Sequence, residues 1–191
     1  VLVTGRKLRD LNIETGGKEL EELAPVDALV RDRVVVAMSG GVDSSVVAAM
    51  VARQGWDAIG ISMRLYSPPP AAYTKSCCSP DDLFDARMVS SRLEIPFYVA
   101  NYQEEFQQRV IDYFVSEYRH GRTPNPCVAC NNHVKFDILL ERSLALGARY
   151  LATGHFVRVE HGEDGRSILK KGLDANKDQS YFLFGIPRKA L

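Results

Sequence analysis

The stretch Val34-Val35-Val36-Ala37-Met38-Ser39-Gly40-Gly41-Val42-Asp43-Ser44-Ser45 decides the fold. Its first five residues are a continuous apolar run after Arg33, as in a strand buried on both faces rather than one. A glycine turn follows, and then a helix is expected over residues 44–54 with Val46, Val47, Met50 and Val51 as its apolar side. In such a unit, successive backbone N–H groups and the helix N-terminus face one small concavity, which is an anion site. Gly40 and Gly41 let the backbone approach the anion, and Ser39, Ser44 and Ser45 supply hydroxyls. Asp43 would repel a polyphosphate unless it helps to hold magnesium or fixes the turn through backbone donors. The turn lacks the lysine of a Gly-x-x-x-x-Gly-Lys loop and the spaced glycines of the dinucleotide fingerprint. A plain strand-to-helix turn is the alternative reading.

Outward from this unit, residues 58–62 read as a second strand. Ser79-Pro80-Asp81-Asp82 reads as a capped helix start, with the helix running to Leu93. Residues 96–100 supply a third strand. Residues 104–118 form a third helix, with Phe106, Val110, Tyr113 and Phe114 at helical spacing. A further helix over 134–146 ends at Gly147, and residues 149–153 are a fourth strand. Four strands separated by helices predict an α/β fold: an open, mostly parallel sheet covered on both faces and joined by right-handed crossovers. Residues 1–30 hold no sustained period and read as an irregular N-terminal extension. Residues 156–160 and 166–171, separated by a polar glycine-containing segment, read as a hairpin.

The whole chain has 191 residues, 46% of them hydrophobic, and equal numbers of acidic and basic side chains. That composition excludes collagen-like and strongly disordered classes, and four cysteines do not make a disulfide scaffold. The apolar run over residues 34–38 is far short of the roughly 20 residues of a membrane span, and no signal-peptide pattern opens the chain. No membrane partner and a cytoplasmic location are therefore expected.

Cys127 and Cys130 form Cys-x-x-Cys, a spacing shared by half of a zinc site, part of an iron–sulfur site and a redox pair. Pro124 and Pro126 stiffen the approach, so the thiols are expected on a loop rather than buried in a helix. Arg119, Arg122 and Lys135 surround the pair with no acid between them, a positive setting that favours the Cys130 thiolate. Farther on, residues 166–189 carry six basic and two acidic side chains, a cationic strip suited to an RNA backbone. Tyr181, Phe182 and Phe184 there can stack on bases or pack inward.

Ser39-Gly40-Gly41-Val42-Asp43-Ser44 resembles the pyrophosphate loop of N-type ATP pyrophosphatases. Joined by Cys77-Cys78-Ser79, Gly121-Arg122-Thr123-Pro124-Asn125-Pro126, Cys130-Asn131, Lys135-Phe136, Thr153-Gly154-His155 and Lys177-Asp178-Gln179-Ser180-Tyr181, it is similar to the tRNA-specific 2-thiouridylase (MnmA) family over residues 33–191. The resemblance implies an adenine nucleotide alpha hydrolase-like, Rossmann-like domain over residues 31–160. It also implies the start of a central tRNA-binding region over 161–191, the carboxy-terminal barrel being absent. The activity implied is ATP-dependent 2-thiolation of the wobble uridine of tRNA. Within the resemblance, Ala37, Met38, Ser39, Gly40, Gly41, Val42, Asp43, Ser44, Met63 and Gly154 match ATP contacts, with Asp43 toward magnesium. Asn125, Pro126, Cys127, His155, Lys177, Asp178 and Gln179 match contacts to tRNA.

Cys130 matches the catalytic cysteine that closes a disulfide with a persulfide-bearing cysteine lying beyond Leu191 in the family. Cys127 stands where many relatives carry an aspartate proposed to assist catalysis, so it is a second catalytic candidate and makes an iron–sulfur version of the chemistry conceivable. Implied partners are anticodon loops of tRNAs for lysine, glutamate and glutamine, and a cysteine desulfurase or sulfur relay protein. The alternatives are an ATP- and tRNA-binding fragment without turnover, or another adenylating pyrophosphatase.

Overall fold

The computed structural model describes residues 2–4, 32–66, 79–162 and 164–191. Residues 5–30 of the expected extension, and Cys77 and Cys78, lie outside them. The sheet consists of β1 (Leu2–Thr4), β2 (Arg33–Ala37), β3 (Asp57–Arg64), β4 (Phe97–Asn101) and β5 (Tyr150–Ala152), in the order β1-β5-β2-β3-β4. The four expected strands are all parallel, Val35 facing Ile59 on one side and Leu151 on the other. Leu2–Thr4 add an antiparallel edge strand along β5, within the N-terminal segment expected to be irregular.

Alternation along β2 sends successive side chains to opposite faces. Val34 and Val36 join one core with Ala48 and Val51 of α1 (Val42–Arg53) and Ala86 of α2 (Pro80–Arg92). Val35 joins the other core with Val110 of α3 and Val134, Phe136 and Leu139 of α4. Helix α3 covers residues 103–119 and α4 residues 126–145. Each is a continuous helical run whose middle, Gln107–Asp112 and Asn131–Leu139, widens to i→i+5 bonding. This is the Rossmann-like adenine-nucleotide alpha hydrolase arrangement, with helices on both faces of the sheet. After it come a hairpin of β6 (Val157–His161) and β7 (Ser167–Lys171) and two short 3₁₀ segments, Ser180–Leu183 and Arg188–Ala190.

Two expectations need correction. The face of α1 toward the sheet is set by Ser44, Ala48 and Val51, while Val46 and Met50 are 50% and 55% exposed. The cysteine pair lies on a helix, not a loop, because α4 begins at Pro126. Proline at the first helical position loses no bond and brings a helical φ, so the residue read as a loop stiffener is a helix starter.

Candidate functional site

From β2 the chain builds outward through β3 and β4 and then returns to the other side of β2 with β5. The strand order therefore reverses between β2 and β5, and open sheets bind ligands at the carboxyl ends beside such a reversal. Here the segments leaving those two strands touch. A Cβ added to Gly154, after β5, would stand 3.0 Å from the Ser44 amide nitrogen and 3.1 Å from the Asp43 carbonyl carbon, after β2.

The turn between β2 and α1 is tied internally. The Ser44 hydroxyl donates to the Gly41 carbonyl at 3.1 Å and accepts from the Ser39 N–H at 3.2 Å, and the Ser45 hydroxyl donates to the same Gly41 carbonyl at 2.9 Å. Ser44 and Ser45 thus hold the turn's shape rather than offering free hydroxyls, and Ser44 is buried. Gly41 caps α1 without a side-chain hydrogen bond, so its first-turn amides keep their capacity for an anion. Gly40 has φ 81°, and a Cβ there would meet the Asp82 carbonyl oxygen at 2.3 Å. The turn therefore lies against the start of α2, which the expected Ser79–Asp82 capping box secures.

Met38 is buried, its sulfur accepting from the Ser90 hydroxyl and its carbonyl from the Ser62 hydroxyl. Its side chain serves the core and leaves only its backbone to the turn. Ala37 and Met63 pack in the other core, under α3 and α4, with Met63 near the carboxyl end of β3. Val42 and Asp43 are exposed, Val42 at 78%.

His155 follows Gly154. Its ring Nδ1 is 2.9 Å from the Thr153 hydroxyl, and its ring lies 5.9 Å from that of Phe136 on α4. Burial, with a smaller contribution from the Lys135 charge, lowers its pKa from 6.5 to about 3, so the imidazole is neutral at physiological pH. Because α4 leads into β5 and packs on the sheet, it runs from the carboxyl edge toward the amino edge. Its start, with Cys127 and Cys130, therefore stands on the same edge as Gly154. Asn125 caps this start, its Oδ1 accepting from the Cys127 and Val128 amides at 3.0 and 3.2 Å. Pro126 and Cys127 are exposed, and Cys130 is buried at 8%. No disulfide joins cysteines among the described residues.

The residues of the later loop are partly spent on structure. Asp178 accepts from the Gly172 N–H at 2.6 Å and the Ser180 hydroxyl at 2.8 Å, bonds that hold its carboxyl below the usual carboxylate range. The Gln179 side-chain oxygen accepts from the Phe156 N–H at 2.9 Å. Lys177 is exposed. The positive settings are weaker than the sequence count implies, since Arg122 pairs with Glu117, Lys170 with Glu160 and Arg166 with Asp164. Of the three aromatics, Tyr181 and Phe184 are exposed at 63% and 67%, and Phe182 is half-buried.

The residues fit magnesium in one way. Among the described residues no three carboxylates, histidines or cysteines cluster, so Asp43 would hold the ion as a single carboxylate with phosphate oxygens completing the shell. For an iron–sulfur cluster, the described residues bring Cys127 and Cys130 together with no third histidine, cysteine or carboxylate beside them.

Sequence reasoning quoted Asn131 and Thr153 inside motifs without giving them work. Thr153 bonds His155, a partner two residues away that the sequence could have revealed. Asn131 is 2% exposed and donates to the Phe182 carbonyl at 2.9 Å, across 51 residues, with no local signal to find it.

A profile of the family described as "tRNA methyl transferase HUP domain" matches residues 32–191. The tRNA-specific 2-thiouridylase MnmA of Geobacter metallireducens is 54% identical over 166 residues, 84% of this chain and 45% of that protein. The protein of the same name from Geotalea uraniireducens is 53% identical over 171 residues, 84% of this chain and 44% of its own length. The chain thus spans less than half the length of these relatives. Among solved structures, an NH3-dependent NAD synthetase from Campylobacter jejuni aligns at 17% identity and TM-score 0.39, over 64% of this chain and 46% of that one.

Proposed function

The chain belongs to the tRNA methyl transferase HUP-domain family and is strongly homologous to MnmA-type tRNA 2-thiouridylases of the N-type ATP pyrophosphatase superfamily, and from this premise we propose that it binds ATP at the β2–β5 crevice and adenylates tRNA for 2-thiolation of the wobble uridine. The observation that carries the reading is the contact of Gly154 with Asp43 and Ser44, which puts the glycine turn and the post-β5 segment on one edge. In the reaction, O2 of uracil attacks the α-phosphorus of ATP and pyrophosphate leaves. A sulfur nucleophile then adds to C2, and AMP departs with the former O2.

The amides of Gly40, Val42, Asp43 and Ser44 stabilise the phosphates, as preorganised donors do where charge develops. Magnesium, held by Asp43, supplies neutralising charge to the β- and γ-phosphates when bound. Backbone at Ala37, Met38 and Met63 meets the adenosine. An unpaired anticodon base enters cheaply and is met by Asn125, Pro126 and Cys127. His155, Lys177, Asp178 and Gln179 lie on the RNA side, Lys177 as an exposed cation and Asp178 and Gln179 chiefly as builders of the loop. Cys130 is the nucleophile toward a second, persulfide-bearing cysteine. The reading carries with it a cytoplasmic setting, tRNAs for lysine, glutamate and glutamine, and a desulfurase or sulfur relay protein as donor.

The test measures pyrophosphate and AMP release on adding such a tRNA. Asp43→Ala is expected to lower release at least a hundredfold with its thermal unfolding midpoint unchanged, and undiminished release would refute the role. Cys130→Ser is expected to keep ATP binding. Because the chain spans less than half of its relatives, a second reading is binding of ATP and tRNA without turnover, marked by ATP binding with no tRNA-dependent AMP release.

A further inference from the structure

Cys127 and Cys130 occupy the second and fifth positions of α4, three residues apart, so both leave the same side of the helix. Their access differs: Cys127 is exposed, and Cys130 is buried. The turn that carries them is a side-chain-capped first turn of a helix. At its start the Cys127 and Val128 amides bond the Asn125 side chain rather than backbone carbonyls. At its end the Asn131 N–H is shared between the carbonyls of Cys127 and Val128, an i→i+4 and an i→i+3 bond together. The second of these is 3₁₀ bonding from Val128 to Asn131, one residue on from the cysteine pair, and 3₁₀ bonding eclipses side chains three residues apart.

The distances decide what this permits. A disulfide needs Cβ atoms about 3.5–4.5 Å apart, whereas i,i+3 neighbours on a regular α-helix stand about 5–6 Å apart. Tightening of this first turn to i→i+3 bonding, as the adjoining Val128–Asn131 bond shows, closes this gap of roughly 1–2 Å. The amides at the start of the turn move with the Asn125 side chain and lose no backbone partner in doing so.

We propose that Cys127 and Cys130 are a dithiol–disulfide couple closing within one helical turn, with Cys127 the entry thiol and Cys130 the resolving thiol. A small disulfide such as oxidised glutathione exchanges at the exposed Cys127. Its Sγ bonds one glutathione sulfur and the other leaves as a thiol, taking the Cys127 proton. The Cys130 sulfur then attacks Cys127 Sγ, and the second glutathione leaves with the Cys130 proton. Two protein thiols are oxidised by two electrons, and one glutathione disulfide is reduced to two thiols. The couple does not depend on the adenylation reading, and its closure takes Cys130 out of action while leaving the glycine turn untouched.

Incubation of the chain with oxidised glutathione, acid quenching and peptide mass mapping test the proposal. The expected product lacks two hydrogens, carries no glutathione and links Cys127 to Cys130; dithiothreitol reverses it. Cys130→Ser is expected to retain glutathione on Cys127, and Cys127→Ser to slow modification of Cys130 at least tenfold. A chain with Cys77→Ser and Cys78→Ser should close the same link with an unchanged circular dichroism spectrum. Glutathione persisting on Cys127 in the unsubstituted chain, a link through Cys77 or Cys78, or no disulfide at all would overturn the couple.

Discussion

Gly154 works by what it lacks. Any side chain there presses on the backbone at Asp43 and Ser44, atoms that cannot rotate aside, so Gly154→Ala must shift the turn that faces the phosphates. The expected result is an ATP dissociation constant raised about tenfold, or ~1.4 kcal/mol, by isothermal titration, with the fold intact. His155 gives a second prediction. Its folded pKa of about 3 lies below its ordinary 6.5, so between these values the unfolded chain holds a proton that the folded chain refuses. Stability therefore rises with pH across that window and is lost as pH falls through it. Denaturant titration should show this group alone removing up to ~2 kcal/mol between pH 7 and pH 5, and His155→Gln should flatten that part of the profile.

At the scale of elements, α4 decides most. Its start is legible in Asn125-Pro126, an N-cap residue before proline, although Pro124 and Pro126 taken together suggest a stiffened loop. Asn125 meets two amides with one oxygen, so Asn125→Ala is expected to cost ~1 kcal/mol by urea denaturation and to raise amide exchange at Cys127 and Val128. An unchanged stability would mean that water replaces the cap without loss. The face of α1 was misjudged for a related reason: Val46, Val47, Met50 and Val51 allow two neighbouring apolar stripes, and only contact with the sheet selects the one through Ala48 and Val51.

For the molecule as a whole, the two cores are unequal in reach. The core under α1 and α2 is built from residues 34–152, but the core under α3 and α4 also takes in Leu183, Ile186, Ala190 and Leu191. The segment after the hairpin is thus seated on α4, and Asn131 fastens it through the Phe182 carbonyl. Leu183 is 1% exposed, and Leu183→Ala is expected to cost ~2–5 kcal/mol by denaturant unfolding. A loss confined to residues 177–191 in hydrogen exchange, with β2 and β5 still protected, would show instead that this segment opens by itself.

The chain's local chemistry determined its own elements: four apolar runs became parallel strands, the paired glycines became the turn after β2, and Ser79 to Asp82 became a capped helix start. Those features rest on side-chain period, proline and glycine geometry and short-range hydrogen bonds, all of which act within a few residues. Tertiary structure alone decided which groups remain available at the site. The side chain of Met38 is engaged by Ser90, and the side-chain oxygen of Gln179 by the Phe156 N–H, partners far away in the chain. Burial of His155, and its descent below the physiological range, required Phe136 and Lys135 to arrive from another helix. Residue type states which hydrogen bonds and charges a group can offer, but only packing, which joins positions far apart in the chain, settles which of them are left over for a ligand.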